Sequence, residues 1–298
     1  MAEADAYKDK KQIKAKCPLW NAIRGFLKNM RYNLNEKTVI LTGASSGIGR
    51  EIATRLVKNH SCTVYGIARR EGVLCDLRAE LGEKFIPTPM DISIKQGWYD
   101  LASSLQEKGV VADMLINCAG VLPKFASVEK SSAQDTENAI TVNFLSQVWA
   151  CEALLPIIKK SPQGAIISFS SSSALCPFAG VSAYCASKSA SRAYFECMAR
   201  ENKEIYVASV MNGFVKTDIM KNQSPTEREA KIFNKVCADL DKTVTKILRK
   251  IKRKKSRIVV GADAHLMSAL YRLFPKTGPK IITAVLKKTK FQLFLDIT

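Results

Sequence analysis

Short apolar runs alternate with stretches whose apolar positions recur at helical spacing, and this alternation persists from Lys37 to about residue 260. Thr38–Leu41, Cys62–Ile67, Phe85–Met90, Met114–Ile116, Ala165–Phe169, Tyr206–Met211 and Arg257–Val260 read as buried strands. Between them lie helical patterns: Ile52, Ala53, Leu56 and Val57 after the first strand, a long helix over Gln134–Lys159, and a helix carrying Tyr184. Val236, Leu240, Val244, Ile247 and Ile251 share one further helical face. Strand–helix alternation with short apolar strands predicts a parallel sheet covered on both sides, because each crossover lays a helix on a face. Right-handed crossovers make the fold class α/β, a doubly wound sandwich of about seven strands.

The flanks differ from this texture. Residues 1–36 read as an extension with a short basic amphipathic helix, in which Leu19, Trp20, Ile23, Phe26, Leu27 and Met30 recur at helical spacing. Nothing in the composition splits residues 37–262, which are read as a single domain. Residues 263–298 form a helical extension with apolar patches at Leu266–Phe274 and Ile281–Leu286, separated by Pro275 and Pro279, which stop helices.

Composition narrows the function classes. The 298 residues are 47% hydrophobic, enough for a sizeable core. The nine cysteines are scattered without a Cys-x-x-Cys pair, and the two histidines are far apart, so neither a disulfide framework nor a metal site is expected. With no apolar leader at the start, the compartment is read as cytoplasmic. The formal charge of +19 implies attraction to something anionic: a phosphorylated cofactor, an acidic lipid surface or nucleic acid.

Two stretches carry chemistry. Gly43, Ser45, Ser46, Gly47, Ile48 and Gly49 lie where the first strand turns into the first helix. Glycine there allows the backbone to approach a pyrophosphate at the helix N-terminus. Tyr184 precedes Lys188 by one helical turn, so a phenol and an ammonium share a face. An ammonium beside a phenol favours the phenolate and moves the pKa toward the range of a general acid.

Thr42-Gly43-x-x-x-Gly47-x-Gly49, Asn117-x-Ala119-Gly120, Asn143, Ser171 and Tyr184-x-x-x-Lys188 occur in order and spacing such that the chain resembles the short-chain dehydrogenase/reductase family from about Lys37 to Met220. The resemblance implies a Rossmann-type dinucleotide site and a carbonyl–alcohol redox reaction. It makes Tyr184 the acid/base and Lys188 its partner, which also holds the nicotinamide ribose. Ser171 becomes the holder of the substrate oxygen, chosen by its spacing from Tyr184 over its neighbours Ser170, Ser172 and Ser173. Asn143 resembles the family's helix asparagine that holds a relay water. Asp91 would meet the adenine, Asn117 would steady the sheet centre, and Gly120 would line the cofactor cleft. The carboxamide would meet Val215 and Thr217. Where the family has Pro-Gly, this chain has Asn212-Gly213, and a looser turn is expected.

After the second strand the chain has Arg69 and Arg70 in place of an acidic residue, which favours NADP(H) over NAD(H). Leu175, Pro177, Phe178 and Val181, with Met220, Ile232 and Phe233 in a lid over Ile219–Asn234, predict an apolar pocket for a bulky lipophilic carbonyl or alcohol of steroid, retinoid or acyl type. The basic run Lys242–Arg257 argues against a dimer face there, because like charges repel across a symmetric contact, and leaves the Asn143 and Tyr184 helices as the homodimer surface. Together with the Trp20 helix and the apolar C-terminal patches, the run suggests peripheral contact with an anionic membrane. No reading module accompanies the charge, which argues against nucleic acid. A catalytically silent NADP-binding regulator is the alternative, opposed by the intact Ser171, Tyr184 and Lys188, since a binder needs no proton donor.

Overall fold

The computed structural model describes residues 31–223, 225–289, 291, 294 and 297. The expected Trp20 helix lies outside the described residues. Seven parallel strands form one sheet in the order β3-β2-β1-β4-β5-β6-β7. They are β1 (Thr38–Thr42), β2 (Thr63–Ala68), β3 (Phe85–Pro89), β4 (Met114–Asn117), β5 (Ala165–Phe169), β6 (Tyr206–Asn212) and β7 (Arg257–Val260). The order reverses between β1 and β4, which stay paired to their last residues, Thr42 and Asn117, and the crevice lies beyond their carboxyl ends.

Helices α1 (Gly47–His60), α2 (Glu71–Leu81) and α8 (Leu240–Lys252) cover one face. Their Ile52, Leu56, Leu74, Leu77, Val244 and Ile247 bury against Val39, Leu41, Val64 and Ile258 of the sheet. Helices α3 (Lys95–Glu107), α5 (Ser146–Ile158) and α6 (Ser182–Glu201) cover the other. Trp98, Leu105, Leu154, Ile158, Phe195 and Met198 pack there on Ile40, Leu115 and Ile166. The other helices among the described residues are α4 (Ala133–Ile140), α7 (Glu227–Val236), α9 (Ala262–Leu273) and α10 (Gly278–Lys288). Tyr32 and Leu34, ahead of β1, already belong to the core, and the Tyr32 hydroxyl donates to the Gln163 carbonyl at 2.8 Å.

Three local expectations change. The helix expected over Gln134–Lys159 is interrupted by a π-turn at Thr141–Leu145 between α4 and α5. The continuous run Ala133–Ile158 is long and apolar enough to cross a membrane by composition, yet Ala150, Cys151, Leu154, Ile157 and Ile158 are part of the core under the sheet. The face from Val236 to Ile251 is split, because Asp239 caps α8 by accepting the Lys242 N–H at 2.9 Å. Pro279 does not stop a helix. It sits in the first turn of α10, where the missing N–H removes no helical hydrogen bond.

Candidate active site

The crevice opens into a cleft of about 960 Å³, lined by the ends of β1, β2, β4, β5 and β6 and the loops that follow them. That is near the upper end of ligand-pocket sizes, ~300–1,000 Å³.

One end is built from backbone. Gly49 packs so tightly on the β1 end that a Cβ would lie 2.2 Å from the Gly43 carbonyl oxygen. The first turn of α1 is left open toward the cleft: Ser46 makes no side-chain cap and no acidic residue follows. Uncapped N–H groups at a helix N-terminus suit an anion. The Thr42 hydroxyl accepts the N–H groups of Cys118 and Ala119, 3.0 Å each, and so fixes the loop after β4 beside the glycine loop. Arg70 donates to the Ser45 hydroxyl at 3.0 Å, which holds its guanidinium at the rim. Burial alone would raise the Asp91 carboxyl, but the hydroxyl and N–H of Ser93, with the Arg69 charge, bring it below the ordinary value.

The middle of the cleft holds the titratable groups. β5 ends at Phe169 and the chain turns through Ser170 and Ser171 into a short 3-10 turn, Ser172–Ala174. The Ser170 hydroxyl donates to the Lys188 carbonyl at 2.7 Å, which ties this turn to α6. Tyr184 and Lys188 project from the first turns of α6. The Lys188 ammonium donates to the Phe169 carbonyl at 2.9 Å and lies 5.9 Å from the Tyr184 ring centre. Burial lowers Lys188 to about 8, leaving it charged at neutral pH. Burial raises the Tyr184 phenol to about 12, while a hydrogen bond with the Ser171 hydroxyl pulls it down. The sequence led to the opposite net direction for Tyr184, and desolvation is the reason: here it outweighs the favourable contacts.

Gly120 is where these parts meet. A Cβ there would stand 2.9 Å from the Asn143 side-chain oxygen and 3.1 Å from the Lys188 ammonium. Asn143 is fully buried in the π-turn and does not line the cleft. Its amide accepts from the Val121 N–H at 2.8 Å and donates to the Val121 carbonyl at 2.9 Å and to Ser187 at 3.0 Å. Its own carbonyl accepts from Gln147 at 2.7 Å. Gln147 in turn accepts from Ser168 at 2.7 Å and from Ser191 at 3.2 Å. Sequence reasoning missed Gln147, Ser168, Ser187 and Ser191. The only available signal was polar residues at positions whose neighbours are apolar.

The other end is apolar. Leu122, Phe125, Phe178, Val181, Ile219 and Met220 line it, with Lys124, Asp135 and Asn138 as a polar edge. Leu175, expected as a substrate contact, is not among the lining residues; it is buried just after the 3-10 turn. Ile232 does not reach the cleft either, and the Phe233 side chain lies outside the described residues. Residues near the C-terminus support this wall from behind: Phe294 meets Phe125 edge-on at 5.2 Å, and Ile297 packs on Gly180. Gln223 links lid and wall by accepting the Phe125 N–H and donating to the Pro123 carbonyl, both at 2.9 Å.

Of the expected cofactor contacts, Gly43, Ser45 to Gly49, Arg69, Arg70, Asp91, Ala119, Gly120, Gly213, Val215 and Thr217 all line the cleft. Asn117 does not: it is buried in β4, paired with Thr42 and Ser168 of the neighbouring strands. The Asn212-Gly213 turn is held, not loose. Asn212 donates to the Gly213 carbonyl at 2.9 Å, and Asp263 of α9 accepts the Phe214 N–H at 2.7 Å.

Fold and cleft together define a doubly wound α/β oxidoreductase scaffold with its site at the strand-order reversal. The chain belongs to the short-chain dehydrogenase/reductase family: the family model described as short chain dehydrogenase matches residues 37–228. The benzil reductase ((S)-benzoin forming) of Saccharomyces cerevisiae is 31% identical over 195 residues, 62% of this chain and 74% of that protein. The NADPH-dependent pterin aldehyde reductase of Arabidopsis thaliana is 29% identical over 187 residues, 62% and 77% respectively. A short chain dehydrogenase from Burkholderia cenocepacia, solved in complex with NADP, superposes with a TM-score of 0.71 at 21% identity, covering 86% of this chain and 99% of that one.

Proposed function

We propose that the protein is an NADP(H)-dependent oxidoreductase that interconverts a carbonyl and an alcohol on a bulky lipophilic substrate of steroid, retinoid or acyl type. The observation that carries this reading is the convergence of Ser171, Tyr184 and Lys188 in one cleft, between an open helix N-terminus and an apolar wall. The residues present fit a phosphorylated dinucleotide. The first turn of α1 offers N–H groups without a capping side chain, and Arg70 is held beside Ser45, where a carboxylate would otherwise select a free hydroxyl. The likeness to a relative named NADPH-dependent supports the same choice.

NADPH, when bound, supplies the hydride. The chain's own residues handle the oxygen. Ser171 donates to the substrate oxygen and orients it toward Tyr184. Tyr184 gives its proton to that oxygen as negative charge develops there, and the resulting phenolate is left beside the charged Lys188. Lys188 keeps its place through the Phe169 carbonyl, and Asn143 holds the Gly120–Val121 turn against it. In the opposite direction Tyr184 takes the proton from the alcohol. Leu122, Phe178, Val181 and Met220 exclude water from the reacting carbon.

The test is NADPH oxidation, followed by absorbance, against a panel of steroid, retinoid and acyl carbonyls together with small sugars. Turnover is expected with the lipophilic carbonyls and with kcat/KM higher for NADPH than for NADH. A preference for NADH would refute the cofactor choice, and turnover confined to the sugars would refute the substrate class.

A further inference from the structure

We propose that the hairpin of α9 and α10 docks the protein on the surface of an anionic lipid bilayer. Each helix turns one side inward. Ala264 and Met267 of α9 are buried. In α10 the Thr283 hydroxyl accepts the Ala179 N–H at 3.2 Å, and Leu286 packs against the cluster that holds Phe178 and Tyr184. The opposite stripes carry large apolar side chains with no cover among the described residues: Leu266 and Leu273 on α9, Ile281 and Val285 on α10. Leu273 is 70% exposed and Val285 56%, with Phe274 exposed at the tip between them. The two helices pack against each other, and large water-facing side chains on neighbouring helices mark a contact surface.

Charge selects what covers it. From Ala264 to Thr289 the chain contains no Asp or Glu, while Arg272, Lys276, Lys280, Lys287 and Lys288 stand exposed around the apolar stripe. Asp263, at the start of α9, is turned inward onto the Phe214 N–H. A second copy of the hairpin would set like charges against like. Residues 1–30 carry more Lys and Arg than Asp and Glu, so they meet the same objection. An anionic bilayer meets neither. Leucine, phenylalanine and tyrosine enter the boundary of headgroups and acyl chains, while long basic side chains extend outward to the phosphates. The hairpin also backs onto the loop containing Phe178 and Ala179, so a docked molecule presents the apolar end of its cleft close to the bilayer. The proposal stands on the hairpin alone and does not require the substrate class suggested above.

Vesicle flotation of the full chain tests it, with phosphatidylcholine alone and with phosphatidylglycerol added, at low and high salt. The protein is expected to float with the anionic vesicles, less so at high salt. The pair Leu273→Ser and Phe274→Ser, both on exposed side chains, should cut the bound fraction about tenfold at unchanged Tm. Arg272→Glu with Lys276→Glu should do the same. Lys242→Ser with Lys246→Ser and Arg249→Ser, on the exposed side of α8, should leave most binding in place. Binding that survives both hairpin pairs overturns the proposal, as does binding lost only through the α8 variant or through Trp20→Ser. Equal flotation with uncharged vesicles, or none with either, also overturns it, and capture of an acidic protein in the absence of vesicle binding would assign the face to that partner instead.

Discussion

The two ends of the cleft are made in different ways. The glycine-loop end uses backbone N–H groups, a helix terminus and close packing of neighbours within one βα unit, such as Gly49 on the Gly43 carbonyl. The apolar end is assembled from four distant stretches: the loop after β4, the loop after β5, the lid after β6, and residues near the C-terminus. The first is local in sequence and has few ways to vary, because a pyrophosphate needs the same donors whatever the reaction. The second has no polar pattern to satisfy. Its shape is set by which side chains fill the wall and by what stands behind them, and the proposed function puts substrate choice there. Tyr184 and Lys188 lie on the seam: Tyr184 packs against the apolar cluster, and the Lys188 ammonium stands beside Gly120.

The largest effect is expected at the seam. Tyr184→Phe keeps the ring in its cluster but removes the proton, and should lower kcat by about 10²–10⁴-fold with Tm and NADPH affinity nearly unchanged. Substantial remaining turnover in steady-state assays would remove Tyr184 from its role.

Next come variants that should separate the two ends. Arg70→Ala takes away the guanidinium held at Ser45, and a charge-assisted phosphate contact of this kind is worth about 10–100-fold in binding. NADPH affinity should fall by that factor while NADH affinity and the KM for the carbonyl substrate stay. If both nucleotides weaken equally, Arg70 serves only to order the glycine loop. Phe294→Ala is the converse. It removes the edge-on support behind Phe125, so KM for a bulky carbonyl should rise about tenfold with nucleotide affinity untouched. A fall in NADPH affinity of the same size would mean the two ends are not mechanically separate.

The same division decides what could be read from the sequence. The seven strands and their helices were legible because apolar runs and helical periodicity are local signals. The glycine loop, Ser171, Tyr184 and Lys188 were legible because each motif fits its place in a βα unit. The support around them was not. Gln147 reads as an ordinary helix residue until the π-turn exposes the Asn143 carbonyl to it. Asp263 lies far along the chain from the Phe214 N–H it accepts, and nothing in its neighbourhood announces the partner. Proximity along the chain points Leu175 to the pocket, but after the 3-10 turn that follows Ser171 it is buried in the interior. The contribution of Phe294 and Ile297 depends on how the chain's end returns across the loop at Gly180, a purely tertiary fact.

The smallest effect, and the one that examines the seam itself, is a pH dependence of stability. Burial depresses Lys188 from its unfolded value to about 8, so below that pH the folded protein carries a buried ammonium at a cost. Between about 8 and the unfolded value near 10.5, the unfolded chain binds the proton more than the folded one, and stability from this group rises with pH. Other groups act in the opposite sense. Burial raises the thiols Cys62, Cys118 and Cys151 and the phenols Tyr32 and Tyr206, so their contribution falls as pH rises through their unfolded values. The total curve therefore mixes signs, and the Lys188 share is isolated by difference. Lys188→Met removes the titration, and the hydrogen bond to the Phe169 carbonyl that it also removes adds only a constant offset. The stability of Lys188→Met minus that of the wild type should fall by about 1 kcal/mol between pH 8 and 9, read as a shift of about 2–4 °C in the Tm difference toward the wild type. A gap that stays constant across this range would mean that Lys188 titrates near its ordinary value, and that the seam is open to water rather than closed by Gly120, Phe169 and Tyr184.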